Sequence, residues 1–197
     1  MTLGAINDDT LVYRMGVAVA EQMRRLGITV NLTPVADINN NPLNPVINYR
    51  SFGEIKDNVA RKSLAYASGM QANGILATAK HFPGHGDTDT DSHLDLPLLA
   101  HSRERFDSLE FVPFRFLINN GIGAIMTAHL NIPALGTKEN IPSTLSEDVI
   151  KGVLRRDLGF KGLVITDAMN MKGVTKYYEP GVVMPWHTLP ETILSNL

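Results

Sequence analysis

Apolar residues recur along the chain at two alternating spacings, which predict helices and strands in turn. From Asp9 to Leu26 they fall at helical spacing, and Gly27 supplies a stop signal. The stretch ITVNLTPV then predicts a short buried strand. The other predicted elements are a helix over 54–72, a strand ILATAKHF, a helix over 103–119, a strand GAIMTAHL, a helix SEDVIKGVLRRDLG with Ser146 as N-cap, and a strand GLVITDA.

This alternation of helix and strand predicts a parallel α/β sheet. Polar residues stand at or just beyond the carboxyl end of each predicted strand, namely Asp37, Lys80 with His81, His129 and Asp167. The glycine loops that cradle phosphates, G-x-G-x-x-G and G-x-x-x-x-G-K-[ST], do not occur in the sequence. The pattern therefore favours (β/α)-barrel units over a nucleotide-binding sheet.

Composition narrows the classes of partner. The chain has 197 residues, of which 44% are apolar, enough for one globular domain with a core. Its 18 basic and 20 acidic residues are mixed along the chain, so we expect no nucleic-acid partner. The sequence has no apolar run long enough for a membrane span, and its lack of cysteine excludes disulfides and thiol nucleophiles.

The stretch AKHFPGHGDTDTDSHLDLP concentrates the titratable side chains. Asp87, Asp89 and Asp91 have the spacing of a calcium loop, but Ser92 replaces the glycine and Leu98 the bidentate glutamate that such a loop needs. The calcium interpretation therefore fails. We expect Asp87 and Asp89 to be solvated loop residues.

Two chemical interpretations of this stretch stay open. The first is a His-based transition-metal site, as in a metallohydrolase, built from His81, His85 and His93 with nearby carboxylates. The second is proton transfer by Asp91 and His93. A carboxylate bonded to one ring nitrogen fixes the tautomer, and the other nitrogen can then deliver a proton.

Asp167 is the second candidate for chemistry, because it ends an apolar strand where a buried carboxylate needs a partner. The alternative, equally favoured by the residues alone, is that it caps a helix beginning at AMNM. A strand-end carboxylate combined with a proton-delivering loop favours glycoside chemistry, which requires a nucleophile and an acid/base.

Several motifs together resemble glycoside hydrolase family 3, in its β-N-acetylglucosaminidase branch. AKHFPGHGDTDTDSH is similar to the family signature, GFKGLVITDAMNM to its nucleophile strand and NPVINYRSFG to its sugar-binding arginine loop, and TAHLNIP and IPSTLS stand in the expected order. The resemblance implies a partial TIM-type (β/α)8 barrel over residues 1–180, with about four of its eight βα units, followed by a non-family tail over 181–197.

The resemblance also implies roles for individual residues. Asp167 would be the nucleophile of a retaining reaction, and His93 the acid/base oriented by Asp91. Arg50, Lys80 and His81 would hold sugar hydroxyls, and His129 would line the same pocket. The implied substrate is a small carbohydrate with a terminal β-linked N-acetylglucosamine, and no metal or organic cofactor is implied. A non-catalytic carbohydrate-binding remnant is the alternative, and phosphorolysis stays open as a variant of the reaction.

The resemblance further implies that the chain is a fragment of a bacterial protein of the cytoplasm or periplasm. Four strands leave two open edges, so we expect the fragment to be inactive alone. We interpret the tail as out-of-frame translation, which resequencing of the encoding DNA tests.

Overall fold

The computed structural model describes residues 2–179 and the backbone of residues 192–193. Its strands form one parallel sheet in chain order, β1 (Val30–Asn31), β2 (Leu76–Phe82), β3 (Ala124–Thr127), β4 (Leu163–Thr166) and β5 (Thr192–Ile193). Each strand pairs with the next one along the chain, and the order never reverses. A doubly wound sheet reverses its strand order, whereas a barrel does not. The chain is therefore an α/β protein with the architecture of a partial (β/α) barrel.

Helices connect these strands. They are α1 (Asp9–Arg25), α2 (Lys56–Gln71), α3 (Arg103–Ser108), α4 (Phe111–Asn119), a π-helix (Asp148–Asp157) and α5 (Lys172–Thr175), with short 3-10 turns at Thr2–Ala5, Asn48–Arg50, Pro133–Leu135 and Ser143–Leu145. Within the part of the chain that the structure describes, no helix combines the length and apolar character needed to cross a membrane.

The main core lies between the sheet and these helices. Phe82 at the end of β2 stacks on Phe111 of α4 and meets Phe114 edge-on, and all three rings are buried. Helices α1 and α2 approach closely at two glycines: a Cβ on Gly16 would lie 2.3 Å from a carbonyl oxygen of α2, and one on Gly69 would lie 2.2 Å from a carbonyl oxygen of α1. This packing holds β1 and β2 side by side.

Several predicted elements differ from the observed ones. The prediction of a single helix over 103–119 is wrong, because the helix is interrupted between Ser108, where α3 ends, and Phe111, where α4 begins. Pro113 explains the restart, since proline has no N–H to continue the first helix but fits the first turn of α4. The strand predicted over 28–35 is shorter, and Val35 only bridges to Lys80.

The tail departs from the sequence prediction in one respect. The backbone of β5 pairs with β4, a strand that the apolar pattern did not predict. The predicted boundary at residue 180, and the rest of the segment 181–197, lie outside the described residues.

Candidate active site

A cavity of about 290 Å³ opens at the carboxyl ends of β2, β3 and β4. The residues that line it are Leu32, Val46, Arg50, Lys80, His81, His85, Ser92, His93, Met126, Asp167 and Ala168. Strand-end side chains meet here because parallel strands end at the same edge of the sheet. The cavity thus gathers six of the residues singled out in the sequence: Arg50, Lys80, His81, His85, His93 and Asp167.

Asp37 organises the floor of this cavity. Its fully buried carboxylate accepts hydrogen bonds from His81 Nδ1 at 2.7 Å, from the His81 backbone N–H at 3.1 Å and from the His85 backbone N–H at 2.7 Å. Burial raises the pKa of Asp37, but the charge and hydrogen bonds of His81 and the His85 amide outweigh burial and hold it below its ordinary value. An ionised Asp37 therefore fixes the His81 ring with its Nδ1 proton inward.

His81 consequently presents Nε2 to the cavity. Nη2 of Arg50 lies 3.4 Å from that nitrogen, and Nη1 of Arg50 donates to the Val46 carbonyl at 3.2 Å. Lys80 precedes His81 through a cis peptide bond. Burial lowers the pKa of Lys80, as does the charge of Arg50, whereas Asp167 and Asp37 raise it without restoring the ordinary value.

Asp167 follows β4 directly. Its backbone N–H donates to the Thr127 carbonyl at 2.9 Å, and its Oδ1 accepts the Ala168 N–H at 2.8 Å. Burial raises the pKa of this carboxyl. Electrostatic interactions with His81, His129 and Lys80, together with the hydrogen bond from the Ala168 amide, outweigh burial and hold the pKa below its ordinary value. The helix-cap alternative is wrong, since α5 begins only at Lys172. Asp167 is an ionised carboxylate at the cavity surface.

Asp91 and His93 form a pair, of which His93 lines the cavity. Oδ1 of Asp91 accepts the His93 backbone N–H at 2.8 Å and His93 Nδ1 at 2.7 Å. Burial raises the pKa of Asp91, and the bonds from His93 more than offset that effect. The His93 side chain is 61% exposed. The pair therefore turns Nε2 of His93 toward solvent and the cavity mouth.

His129 differs from its predicted place in the pocket. Its ring is buried, with Nδ1 2.9 Å from Thr144 Oγ1 and Nε2 3.1 Å from the Ala168 carbonyl oxygen. Burial lowers its pKa. Because the protein occupies both nitrogens, His129 supports the segment after Asp167 from behind, and it is not among the described residues that line the cavity.

Asp87 is also not the solvated residue that the sequence suggested. Its Oδ2 accepts His101 Nε2 at 2.8 Å and Arg105 Nη2 at 3.1 Å. Asp89 is exposed, as expected. In the described part of the chain, no three His, Asp or Glu side chains are grouped so that they could hold a metal ion.

Sequence reasoning missed the roles of four residues. Asp37 was noticeable as a polar residue after an apolar strand, but its bonds to His81 and His85 depend on contacts across 44 and 48 positions. Asn44, Thr88 and Ser92 form buried contacts with His85 that no local pattern announces.

Comparisons with known proteins agree on one family. The model of the glycosyl hydrolase family 3 N-terminal domain matches residues 1–185. Beta-hexosaminidase A of Pseudoalteromonas piscicida is 37% identical over 193 residues, which cover 91% of this chain and 32% of that protein. A beta-hexosaminidase of Neisseria meningitidis serogroup C (strain 053442) is 38% identical over 170 residues, which cover 86% of this chain and 46% of that protein.

Solved structures give the same result. A glycoside hydrolase family 3 beta-N-acetylglucosaminidase from Paenibacillus sp. str. FPU-7 superposes with a TM-score of 0.93 and 43% identity, covering 98% of this chain and 38% of that one. The chain therefore spans less than half the length of these relatives.

Proposed function

Since the chain belongs to glycosyl hydrolase family 3, we propose that its cavity is part of an active site that removes terminal β-linked N-acetylglucosamine, or another N-acetylhexosamine, from small glycosides with retention. One observation carries the proposal: a single cavity is lined by the ionised Asp167, by His93 and by the donors Arg50, Lys80 and His81. Relatives named beta-hexosaminidase and beta-N-acetylglucosaminidase support the substrate class.

Asp167 acts as the nucleophile. Its lowered pKa keeps the carboxylate charged at neutral pH, so that one oxygen can attack the anomeric carbon and form a covalent glycosyl-enzyme. The Ala168 amide holds Oδ1 from one side. Attack breaks the bond between the anomeric carbon and the leaving oxygen.

His93 supplies the proton that this oxygen needs. Asp91 holds Nδ1, so the exchangeable proton for the reaction sits on Nε2, which faces the leaving group. After the proton has left, the neutral ring takes a proton from water, and that water releases the sugar from Asp167 with net retention. The exposure of His93 suits a site from which the leaving group departs.

Arg50, Lys80 and His81 bind the sugar hydroxyls. In this cavity Arg50, Lys80 and the His81 imidazole supply donors, and the Asp167 carboxylate supplies acceptors. Hydroxyl groups both donate and accept, so this mixture matches a sugar ring better than a purely cationic anion site would.

The described strands form only part of a barrel, and we propose that the 197-residue chain alone gives no turnover. A chimera tests the site chemistry. Residues 1–179 replace the aligned segment of the Paenibacillus enzyme, which supplies the rest of the barrel. Release of 4-nitrophenol from 4-nitrophenyl N-acetyl-β-D-glucosaminide is then measured. We expect turnover, which Asp167→Ala lowers at least about 10⁴-fold and Asp89→Asn leaves unchanged.

His93 is tested with leaving groups of different acidity. A phenyl glycoside needs proton donation, whereas a 2,4-dinitrophenyl glycoside does not. His93→Ala should therefore lower kcat/KM, which reports the step in which the leaving group departs, about 10²- to 10⁴-fold for the first substrate and far less for the second. Equal losses on both substrates, or full activity of Asp167→Ala, contradict the assigned roles. Binding of N-acetylglucosamine by a folded chimera without any turnover favours the carbohydrate-binding alternative.

A further inference from the structure

A buried row of side chains connects the β1–α2 loop to the segment that carries the acid/base. Nδ2 of Asn44 lies 3.2 Å from Thr88 Oγ1, Thr88 Oγ1 lies 2.9 Å from His85 Nδ1, and His85 Nε2 lies 2.9 Å from Ser92 Oγ. All four residues are at most 2% exposed. None of them has a part in the proton or nucleophile steps.

The contacts of Asn44 fix the direction of the first bond in this row. Oδ1 of Asn44 accepts the N–H groups of Val46 at 2.9 Å and Ile47 at 2.7 Å, so its Nδ2 must be the donor toward Thr88. The hydroxyl of Thr88 has two acceptors on His85, the ring Nδ1 at 2.9 Å and the backbone carbonyl oxygen at 3.2 Å, and the shorter contact assigns its proton to Nδ1.

His85 therefore carries its own proton on Nε2. Burial, together with repulsion from His81, lowers its pKa to about 4, so the ring is neutral near pH 7 and has one proton to give. That proton goes to Ser92 Oγ.

Ser92 stands between the two members of the acid/base pair. In the described part of the chain, the hydrogen bonds of Asp91 and His93 stay within residues 91–95. The link from Ser92 to the barrel consists of the His85 bond and the Gly173 N–H, which donates to the Ser92 carbonyl at 3.2 Å. Asp95, which accepts from Lys176 Nζ at 2.7 Å, ties the end of the same segment, and the His85 bond holds Ser92 between the two members of the pair.

We propose that His85 is a positioning residue, which acts through Ser92 to place the Asp91–His93 pair over the cavity. The proposal deepens the proposed function, on which the role of that pair rests. Two features support it: the row is directional from Asn44 to Ser92, and it ends at the residue between the two members of the pair.

Ring-nitrogen NMR of the ¹⁵N-labelled, ligand-free 197-residue chain tests the proposal. We expect His85 to be a neutral ring protonated on Nε2, and His93 to have Nδ1 protonated toward Asp91. Ser92→Ala and His85→Leu should shift the His93 resonances toward the tautomer mixture of free histidine. His85→Gln should leave them in place, because the glutamine amide nitrogen can donate to Ser92 from the position of Nε2.

His101 is the internal control, since its bond to Asp87 is independent of the row. A His85 ring protonated on Nδ1 overturns the proposal. Unchanged His93 resonances in Ser92→Ala, with His101 also unchanged, overturn it as well. If His85→Leu disturbs His101, the comparison of Ser92→Ala with His85→Gln decides. No substrate is needed, so this result is independent of the kinetics that test the proposed function.

Discussion

Replacing Asp37 by asparagine removes the charge on which the floor of the cavity depends. The carboxylate accepts three N–H groups, two from His81 and one from His85, and it is fully buried. Asparagine keeps one oxygen and sets an amide N–H₂ group where the second oxygen stood. The amide N–H₂ group then faces an N–H group of His81, so that two donors meet. The His81 ring avoids this only by moving its proton from Nδ1 to Nε2, where the proton faces the donor Nη2 of Arg50.

The expected loss follows from these contacts. A hydrogen bond to a charged group contributes roughly 1 kcal/mol more than a neutral one, and an unsatisfied buried donor costs about 1–3 kcal/mol. Two weakened bonds and one unsatisfied donor give a loss of about 3–5 kcal/mol in the free energy of unfolding, the range seen when one partner of a buried ion pair is removed.

Urea unfolding followed by far-UV circular dichroism at pH 7 measures this loss. The matched control is Asp89→Asn, the same chemical change at an exposed position in the same sequence motif, which should stay within about 0.5 kcal/mol of the wild type. If Asp37→Asn also lies within about 1 kcal/mol of the wild type, the carboxylate does not hold His81 and His85 as described.

The pH dependence gives a second check on the same variant. Because the pKa of Asp37 is lowered on folding, its stabilisation is present above the ordinary value of 3.8 and is lost as the pH falls through the folded value. The difference between wild type and Asp37→Asn should therefore shrink below about pH 4. A difference that stays constant into acid contradicts the assigned charge.

Two further predictions concern buried ionisable groups elsewhere. Lys62 is 1% exposed and its Nζ donates to Asp9 Oδ1 at 2.5 Å, so Lys62→Ala should lower the free energy of unfolding by about 3 kcal/mol. Arg61, which is 54% exposed and pairs with the same carboxylate, is the control, and Arg61→Ala should cost less than about 1 kcal/mol; equal losses contradict the argument. For His85, folding lowers the pKa from 6.5 to about 4, so its stabilisation is full above pH 6.5 and disappears toward pH 4. Between these pH values the wild type should lose roughly 3 kcal/mol more than His85→Gln in urea titrations, and parallel losses would falsify this assignment.

The sequence predicts the sheet better than it predicts the contacts behind the cavity. Continuous apolar runs such as ILATAKHF mark strands, and parallel strands bring residues at their ends together, so Lys80, His81 and Asp167 meet as expected. Both signals are local and periodic, and they need no knowledge of distant partners.

Long-range partners account for what the sequence could not predict. His129 looked like another strand-end residue, but Thr144 and the Ala168 carbonyl draw its ring behind the cavity. The sequence suggested that Asp87 is solvated, but in the fold α3 places Arg105 beside its carboxylate. Such pairings depend on how segments pack, and neither spacing nor composition encodes them.

The fully buried carboxylate of Asp37 has a consequence for affinity. It holds His81 and the start of the signature loop in the ligand-free chain, so under the proposed function a sugar that binds there orders few further side chains and loses little conformational entropy. The His93 side chain, by contrast, is 61% exposed, and its ring is held by Asp91 at the surface of the molecule. Under the proposed function, the groups that bind the sugar are thus fixed by a buried charge, whereas the proton donor is fixed by a carboxylate close to solvent.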